Sequence, residues 1–240
     1  MNVGTILLLG LLLGMRHALD ADHLAAVATL VTRSRSIGQT VLQGLAWGAG
    51  HTLTLLLFGG AVLVLGLVLP ERAAPALELA VGVMLVVLGA ELLYRLWRRR
   101  VHFHAHRHAD GAAHFHAHSH QNEGPGHDPE RHEHGHGFPL RALLVGMVHG
   151  MAGSAALILL SLEALRSPAW GLVYIAVFGI GSIAGMAALS VVIAIPMRLT
   201  SRRLTSGRLD RAHGGLSALV GLGTVLLGCY VAFRSVSGMA

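Results

Sequence analysis

The chain is poor in charge and in cysteine, and each shortage excludes a class of protein. Only 12% of its 240 residues are charged, about half the share that is usual in a soluble domain. The single cysteine, Cys229, excludes an internal disulfide and any electron-transfer mechanism that needs a cysteine pair within this chain. No GxxxxGK[ST] motif is present, so the chain does not itself use ATP, and outside the histidine-rich stretch at 102–136 no HExxH motif marks a zinc hydrolase.

Hydrophobic residues make up 53% of the chain and form six long apolar runs. Each run is long enough to cross about 30 Å of hydrocarbon as a helix. The predicted spans are 3–30, 39–67, 76–97, 140–163, 169–196 and 214–234. The first run could instead be a signal peptide, but it lacks a basic start and continues past a polar cluster. The sequence therefore predicts an all-α, multi-pass protein of the cell (inner) membrane, surrounded by membrane lipid, with about six transmembrane helices.

The basic residues, all of them arginine, are distributed unevenly between the connections. Three connections are rich in arginine: Arg33 and Arg35; Arg95, Arg98, Arg99 and Arg100; and Arg198, Arg202, Arg203, Arg208 and Arg211. The two opposite connections hold only Arg72 and Arg166. The positive-inside rule places the arginine-rich connections in the cytoplasm and both termini outside, with Arg234 as a mild exception. The net charge of +6 is thus an orientation signal, and no nucleic-acid partner is expected.

Three sequence patterns of the first half of the chain recur in the second half in the same order. GMRH at 14–17 matches GMVH at 146–149, GAGH at 48–51 matches GIGS at 179–182, and VGVMLVVLGAELLYR from Val81 matches VGLGTVLLGCYVAFR from Val220. A repeat of three spans reverses direction across the membrane, a common plan in secondary transporters. The predicted organisation is one three-helix repeat at 1–97, a histidine-rich cytoplasmic loop at 98–139, and an inverted three-helix repeat at 140–240. Chance similarity of glycine-rich helices is the alternative.

Five ionisable side chains interrupt the first apolar run within eight residues: Arg16, His17, Asp20, Asp22 and His23. Charged groups at membrane depth cost at least about 2.5–3.5 kcal/mol each on insertion scales, so they usually serve a pathway or a site. On one helix, His17, Asp20 and His23 fall within an arc of about 120°. Imidazole with carboxylate suits nickel, cobalt or zinc rather than magnesium or calcium.

Asp22 points almost opposite to Asp20 on that helix, so its predicted role differs. It either orients a ligand histidine by a hydrogen bond without binding the metal itself, or it pairs with Arg16 where the helix is irregular. The alternative for the whole cluster is a helix end at the cytoplasmic interface, with Arg16 paired to Asp20.

Two histidines in other apolar runs are candidates for the same metal site. His51 lies inside the second run, between Gly50 and Thr52, and His149 is its counterpart in GMVHGMAGSAAL of the second half. Each could instead be a structural polar contact, and Ser154 in the same stretch either contributes a hydroxyl or only packs. The predicted metal-binding residues are His17, Asp20, Asp22, His23, His51 and His149.

The connection at 102–136 contains twelve of the 17 histidines. Its alternating H-x-H pattern, glycine, proline and scattered charge predict a disordered loop. Neutral imidazoles bind nickel, cobalt, zinc and copper, with affinity that falls as the pH drops. The loop is therefore predicted to collect or sense metal, but a flexible segment imposes no fixed geometry and cannot be the selective site.

RHALDADH at 16–23 and GHTLTLL at 50–56 resemble two motifs of the nickel/cobalt transporter family, RHAxDADH and a Gly-His followed by Ser or Thr. The resemblance implies that His17, Asp20, Asp22 and His23 serve metal selection and transport, supported by His51. The best-known members have eight spans and later motifs rich in Asp and Thr, whereas this chain has six predicted spans and no Asp in GMVHGMAGSAAL. The chain is more similar to the shorter branch, which includes urease-associated membrane proteins and nickel/cobalt efflux proteins.

These features predict transmembrane transport of a divalent transition metal ion, with nickel favoured over cobalt and uptake over efflux. A metal-binding membrane accessory protein that does not transport is a further alternative. An enzyme is not expected, because a membrane hydrolase or desaturase needs more histidine motifs or a nucleophile beside a base. No prosthetic group is expected, since Ni²⁺ or Co²⁺ is the cargo, and cytoplasmic nickel chaperones are candidate partners.

Overall fold

A computed structural model describes residues 3–32, 36–66, 70, 72–98, 102–107, 113–118, 139–151, 167–203 and 206–239. The described part consists mainly of helices, as expected where backbone groups must find hydrogen-bond partners without water. In chain order they are α1 (Val3–His17), α2 (Ala21–Val31), α3 (Ile37–Thr54), a π-helical turn (Leu55–Gly59), α4 (Gly60–Leu65), α5 (Ala73–Arg98), α6 (Leu140–Met151), α7 (Pro168–Arg203) and α8 (Ser206–Ser237).

Four helical segments of the described part are long and apolar enough to cross a membrane: Ile37–Leu65, Ala73–Arg98, Pro168–Ile195 and Gly214–Ser237. They match the second, third, fifth and sixth predicted spans to within three residues at each end. The fourth predicted span begins with α6, and residues 152–163 lie outside the described part of the chain. The prediction of an all-α membrane protein is confirmed.

The first predicted span is broken into α1 and α2, which are inclined at 56° and together pass as a fifth candidate span. The break is a tight turn, in which the backbone N–H groups of Leu19 and Asp20 donate to the carbonyls of Arg16 and His17 over 2.8 and 3.1 Å. Asp20 then adopts an extended backbone and begins α2 as its N-cap. The Asp20 side chain forms no capping hydrogen bond and accepts from His17 instead, and the predicted single continuous helix is wrong at this point.

Part of the histidine-rich loop forms an antiparallel hairpin, with β1 at His102–Arg107 and β2 at Ala113–His118. The register pairs the three histidines of β1 with three histidines of β2. The prediction of a disordered loop is wrong for these two strands, because strict alternation over six residues is also the pattern of a strand. Residues 119–138 of the predicted loop lie outside the described part.

Glycines allow α7 to lie against α1 and α3 to lie against α6 at backbone distance. A side chain at any of four glycines would collide with a backbone carbonyl of the neighbouring helix. The contacts are Gly14 with Phe178, Gly181 with Leu11, Gly146 with Trp47, and Gly50 with Leu143. Close approach of this kind through small residues is how membrane helices associate without a hydrophobic driving force.

Helices α5 and α8 pack against each other in the same way. Gly82 lies against Gly228, and Gly89 lies against Gly221. A buried contact of 3.2 Å between the hydroxyls of Thr29 and Thr224 joins α2 to α8.

An ion-pair network joins α5 to α6 toward the arginine-rich end of α5. The Glu91 carboxylate accepts hydrogen bonds from both guanidinium NH₂ groups of Arg141, one of them over 2.9 Å, and also pairs with Arg95. This network ties the two halves of the chain together at one end of the helix bundle.

Candidate metal centre

The break in the first span brings two histidines from adjacent helices together. His17 is the last residue of α1, and His23 lies in the first turn of α2. Their rings meet edge to face with centroids 4.4 Å apart. The predicted arc of His17, Asp20 and His23 on one helix is therefore wrong in its geometry, although all three residues do lie together at the break.

An aspartate holds the Nδ1 side of each of these histidines. The Nδ1–H of His17 donates to Asp20 Oδ2 over 2.7 Å, and that of His23 donates to Asp22 Oδ1 over 3.1 Å. Because an ionised carboxylate can only accept, Nδ1 carries the hydrogen in each neutral ring, which leaves the Nε2 lone pair free. Both Nε2 atoms are buried without a hydrogen-bond partner among the described residues. Carboxylate–histidine pairs of this kind orient the metal-binding histidines of many proteins.

His51, near the end of α3, completes a cluster that we call the imidazole triad: His17, His23 and His51. Its ring is fully buried, with its centroid 5.3 Å from those of the other two rings. Neither of its nitrogens has a hydrogen-bond partner in the described part of the chain, which costs about 1–3 kcal/mol for each buried group. One nitrogen from each of the three rings lies within 4.8 Å of the others, so a single ion could bind all three.

His149, on α6, contacts Asp22, the aspartate that His23 also contacts. Its Nε2–H donates to Asp22 Oδ2 over 3.0 Å and lies 3.2 Å from His23 Nδ1. The backbone N–H of His23 also donates to Asp22 Oδ1, over 2.9 Å. Asp22, His23 and His149 form a second group whose ligand atoms lie within 4.8 Å of one another. Since His23 belongs to both groups, the two groups are adjacent.

Aromatic rings form apolar walls around the histidines. Trp47, which is buried on α3, stacks on His23 with the two planes 8° apart and the centroids 5.8 Å apart. Phe178 lies 5.5 Å from the ring of His17. Walls of this kind keep the local dielectric constant low, so the interaction of the site with a cation is stronger than in water.

A cavity of about 280 Å³ reaches the cluster from one side. Five of the predicted metal residues line it: His17, Asp20, Asp22, His23 and His149. Its other wall comes from the first turns of α5 and the last turns of α8, namely Glu78, Val81, Tyr230, Val231 and Arg234. The Glu91–Arg141 ion pair lies thirteen residues beyond Glu78 along α5, about 20 Å away. The cavity therefore lies toward the start of α5, away from the end of the bundle where this ion pair is formed.

The structure thus brings all six predicted metal residues to one place, with His51 beside His17 and His23 but not in the lining of the cavity. It does not form the ion pair of Arg16 with Asp20 or Asp22 that the sequence offered as an alternative, because both carboxylates accept from histidines instead. Ser154 lies outside the described residues.

Sequence reasoning missed Glu78, Arg234 and the stacking of Trp47. Glu78 could have been found from the sequence, because a carboxylate inside the apolar run 76–97 costs free energy in the membrane, as the charged residues at 16–23 do.

Comparison with known proteins gives one informative match. The chain is 31% identical over 230 residues to the urease accessory protein UreH of Bacillus sp. (strain TB-90), a match that covers 96% of this chain and 91% of UreH. No protein-family model matches the chain. No solved structure matches it either.

Proposed function

Because the chain belongs to the nickel/cobalt transporter family, in its short branch with the urease accessory membrane proteins, we propose that it transports a divalent transition metal ion across the cell membrane. The observation that carries the proposal is the imidazole triad, in which buried ring nitrogens of His17, His23 and His51 converge without hydrogen-bond partners among the described residues. A membrane-spanning segment gains nothing from such atoms unless something binds them.

The donor set supports a borderline transition metal, and the similarity to UreH favours nickel, with cobalt as the alternative. Three imidazole nitrogens suit borderline transition metals, whereas magnesium and calcium require oxygen ligands. The triad leaves positions open for water or for a ligand from the neighbouring Asp22–His23–His149 group. In this proposal His17, His23 and His51 bind the ion, and Asp20 and Asp22 orient their rings.

Alternating access through an inverted repeat is the proposed mechanism. The glycine contacts support it, because they come in pairs related by the sequence repeat: Gly14 with Phe178 corresponds to Gly146 with Trp47, and Gly181 with Leu11 corresponds to Gly50 with Leu143. The cavity lies toward the start of α5, and the Glu91–Arg141 pair joins α5 to α6 toward the other end of the bundle. Rocking of the two repeats would expose the ion to the opposite side.

Uptake is the proposed direction, with N- and C-termini outside and the histidine-rich loop in the cytoplasm. The arginine distribution supports this orientation, and in this orientation the cavity would lie on the outer side, where an imported ion would enter. The loop would then collect the ion after it crosses, or pass it to cytoplasmic nickel chaperones.

Nickel flux into proteoliposomes tests the proposal. Replacing His17, His23 or His51 singly by alanine should reduce Ni²⁺ flux at least about tenfold, because each removes one of three ligands. His213→Ala replaces a histidine that is not among the predicted metal-binding residues, and it should keep wild-type flux. Wild-type flux in all three triad variants would overturn the assignment of the site, whereas metal binding without flux in the wild-type protein would identify a non-transporting accessory protein.

The direction has its own test. Cells that express an importer should become sensitive to excess nickel, whereas cells that express an exporter should become resistant. Resistance that depends on His23 would replace uptake with efflux and leave the metal site in place.

A further inference from the structure

The far wall of the cavity carries charges that the imidazole triad does not explain. Glu78 lies near the start of α5 and Arg234 near the end of α8, and both line the cavity opposite the histidines. Both are exposed, and the hydroxyl of Ser235 lies 3.5 Å from the Glu78 carboxylate. Arg234 forms no ion pair with any acidic side chain in the described part of the chain, so it does not simply neutralise Glu78.

The charge of the cavity matches a divalent cation. Its lining holds three carboxylates, Asp20, Asp22 and Glu78, and one guanidinium, so with neutral histidines its net charge is −2. A cleft with one dominant sign of charge and low-dielectric walls raises the local concentration of the opposite ion. Two almost fully buried histidines on the same lining, His23 and His149, each keep one ring nitrogen without a partner among the described residues. The cavity therefore combines an acidic mouth with vacant nitrogen donors deeper inside.

We propose that Glu78 is an entry ligand, which together with Asp20 captures the hydrated divalent ion at the mouth of the cavity before the histidines bind it, and that Arg234 limits the strength of this capture. This inference rests on the proposed transport function and extends it to the path by which the ion arrives. A carboxylate can hold a hydrated ion through its water shell, whereas imidazole must replace water to bind. Arg234 keeps the mouth from retaining the ion, since a site must release its ion as well as bind it.

The proposal also accounts for an arginine on the side of the membrane where arginine is scarce. The orientation predicted from the connections places the end of α8 outside, where the positive-inside rule disfavours Arg234. A role in the cavity explains why an arginine lies at this end of α8, whereas the positive-inside rule does not.

Opposite charge changes at the two positions provide the test. Initial Ni²⁺ uptake into proteoliposomes of the full chain is measured at low ionic strength for Glu78→Gln, Arg234→Gln and the double variant. Glu78→Gln should raise KM about fivefold with kcat nearly unchanged, because it weakens attraction at the mouth and leaves the triad intact. Arg234→Gln should lower KM, and the double variant, whose cavity again carries −2, should return toward the wild-type value. All three differences should shrink at high salt.

Two further variants separate electrostatics from structure. Glu78→Asp keeps the charge and should retain a KM close to that of the wild type. Arg72→Gln removes an arginine just before α5 that does not line the cavity, and its KM should not change. A KM that rises in both Glu78→Gln and Arg234→Gln would indicate a structural partnership and overturn the proposal, as would an unchanged KM in Glu78→Gln.

Nickel binding to the detergent-solubilised full chain, measured in parallel, keeps this proposal distinct from the proposed function. If the wild-type protein binds Ni²⁺ but carries no flux, transport fails, while Kd shifts of opposite sign in the two variants still support the entry site. If flux depends on His17 but neither KM nor Kd responds to Glu78→Gln, the entry site alone is overturned.

Discussion

Among single residues, Asp22 makes the most connections in the cluster. One carboxylate accepts from the backbone N–H of His23, from His23 Nδ1 and from His149 Nε2, and so links α2 to α6. Asp22→Asn should weaken Ni²⁺ binding about 10- to 100-fold, because an amide presents a donor to one of these N–H groups and releases the ring it held. Calorimetric titration of the solubilised protein with Ni²⁺ measures this change. Binding at wild-type affinity would show that Asp22 does not orient His23.

Asp20 provides the comparison, because it holds only His17 and is 56% exposed. Its hydrogen bond competes with water, so Asp20→Asn should weaken Ni²⁺ binding less than Asp22→Asn does, by less than about tenfold. The same titration measures it, with His17→Ala as the reference. If Asp20→Asn weakens binding as much as His17→Ala, then Asp20 also binds the ion that the imidazole triad holds, as its residue type alone suggested.

The residues of the cluster could be predicted from the sequence. Which of them bind the metal and which orient the metal-binding rings could not. Histidine and aspartate side chains in a membrane span indicate a polar site wherever they occur. Which nitrogen is free depends on where Asp20 and Asp22 point, and the turn at 18–20 sets that direction. Glu78 and Arg234 join the cavity through the packing of α5 against α8, which brings together residues 156 positions apart.

At the scale of helices, glycine contacts determine how closely the metal-binding elements approach. Gly50 precedes His51 and lies against the backbone of α6 at Leu143, so Gly50→Ala should force α3 and α6 apart. Overpacking of this kind costs about 1–3 kcal/mol and should lower the thermal unfolding temperature in detergent. Gly223→Ala, on α8, is the matched control, since a methyl group there meets no atom within 4 Å. Equal stability of the two variants would contradict the close packing of α3 on α6.

Helix positions were predictable where apolar runs were long, and the break was not. Length and hydrophobicity alone locate the spans at 39–67 and 169–196, because lipid leaves few other structures open to such runs. The break at Asp20 comes with the turn at 18–20 and with the bond of the Asp20 carboxylate to His17, and neither is visible in a pattern of apolar residues. Periodicity favoured the continuous helix because the residues on both sides of the turn are apolar.

For the molecule as a whole, the broken first span and the second half of the chain combine to form the site. The first half supplies His17, His23 and His51, and the second half supplies His149 and walls from α7 and α8. An ion bound by the imidazole triad would lie beside the Asp22–His23–His149 group, so movement of one half of the chain against the other would change its surroundings. A site within a single helix would have no such coupling.

The histidine-rich loop and the imidazole triad should therefore be separable in function. Replacing 102–136 by a glycine- and serine-rich linker of equal length should lower the number of Ni²⁺ ions bound per protein, because it removes twelve histidines, while flux persists through the fixed site. His17→Ala should do the reverse and abolish flux while the loop still binds metal. Equilibrium dialysis and proteoliposome uptake on the same preparations measure the two properties. Loss of flux in the correctly inserted loop variant would show that the loop belongs to the transport path, and it would leave the triad insufficient to move an ion by itself.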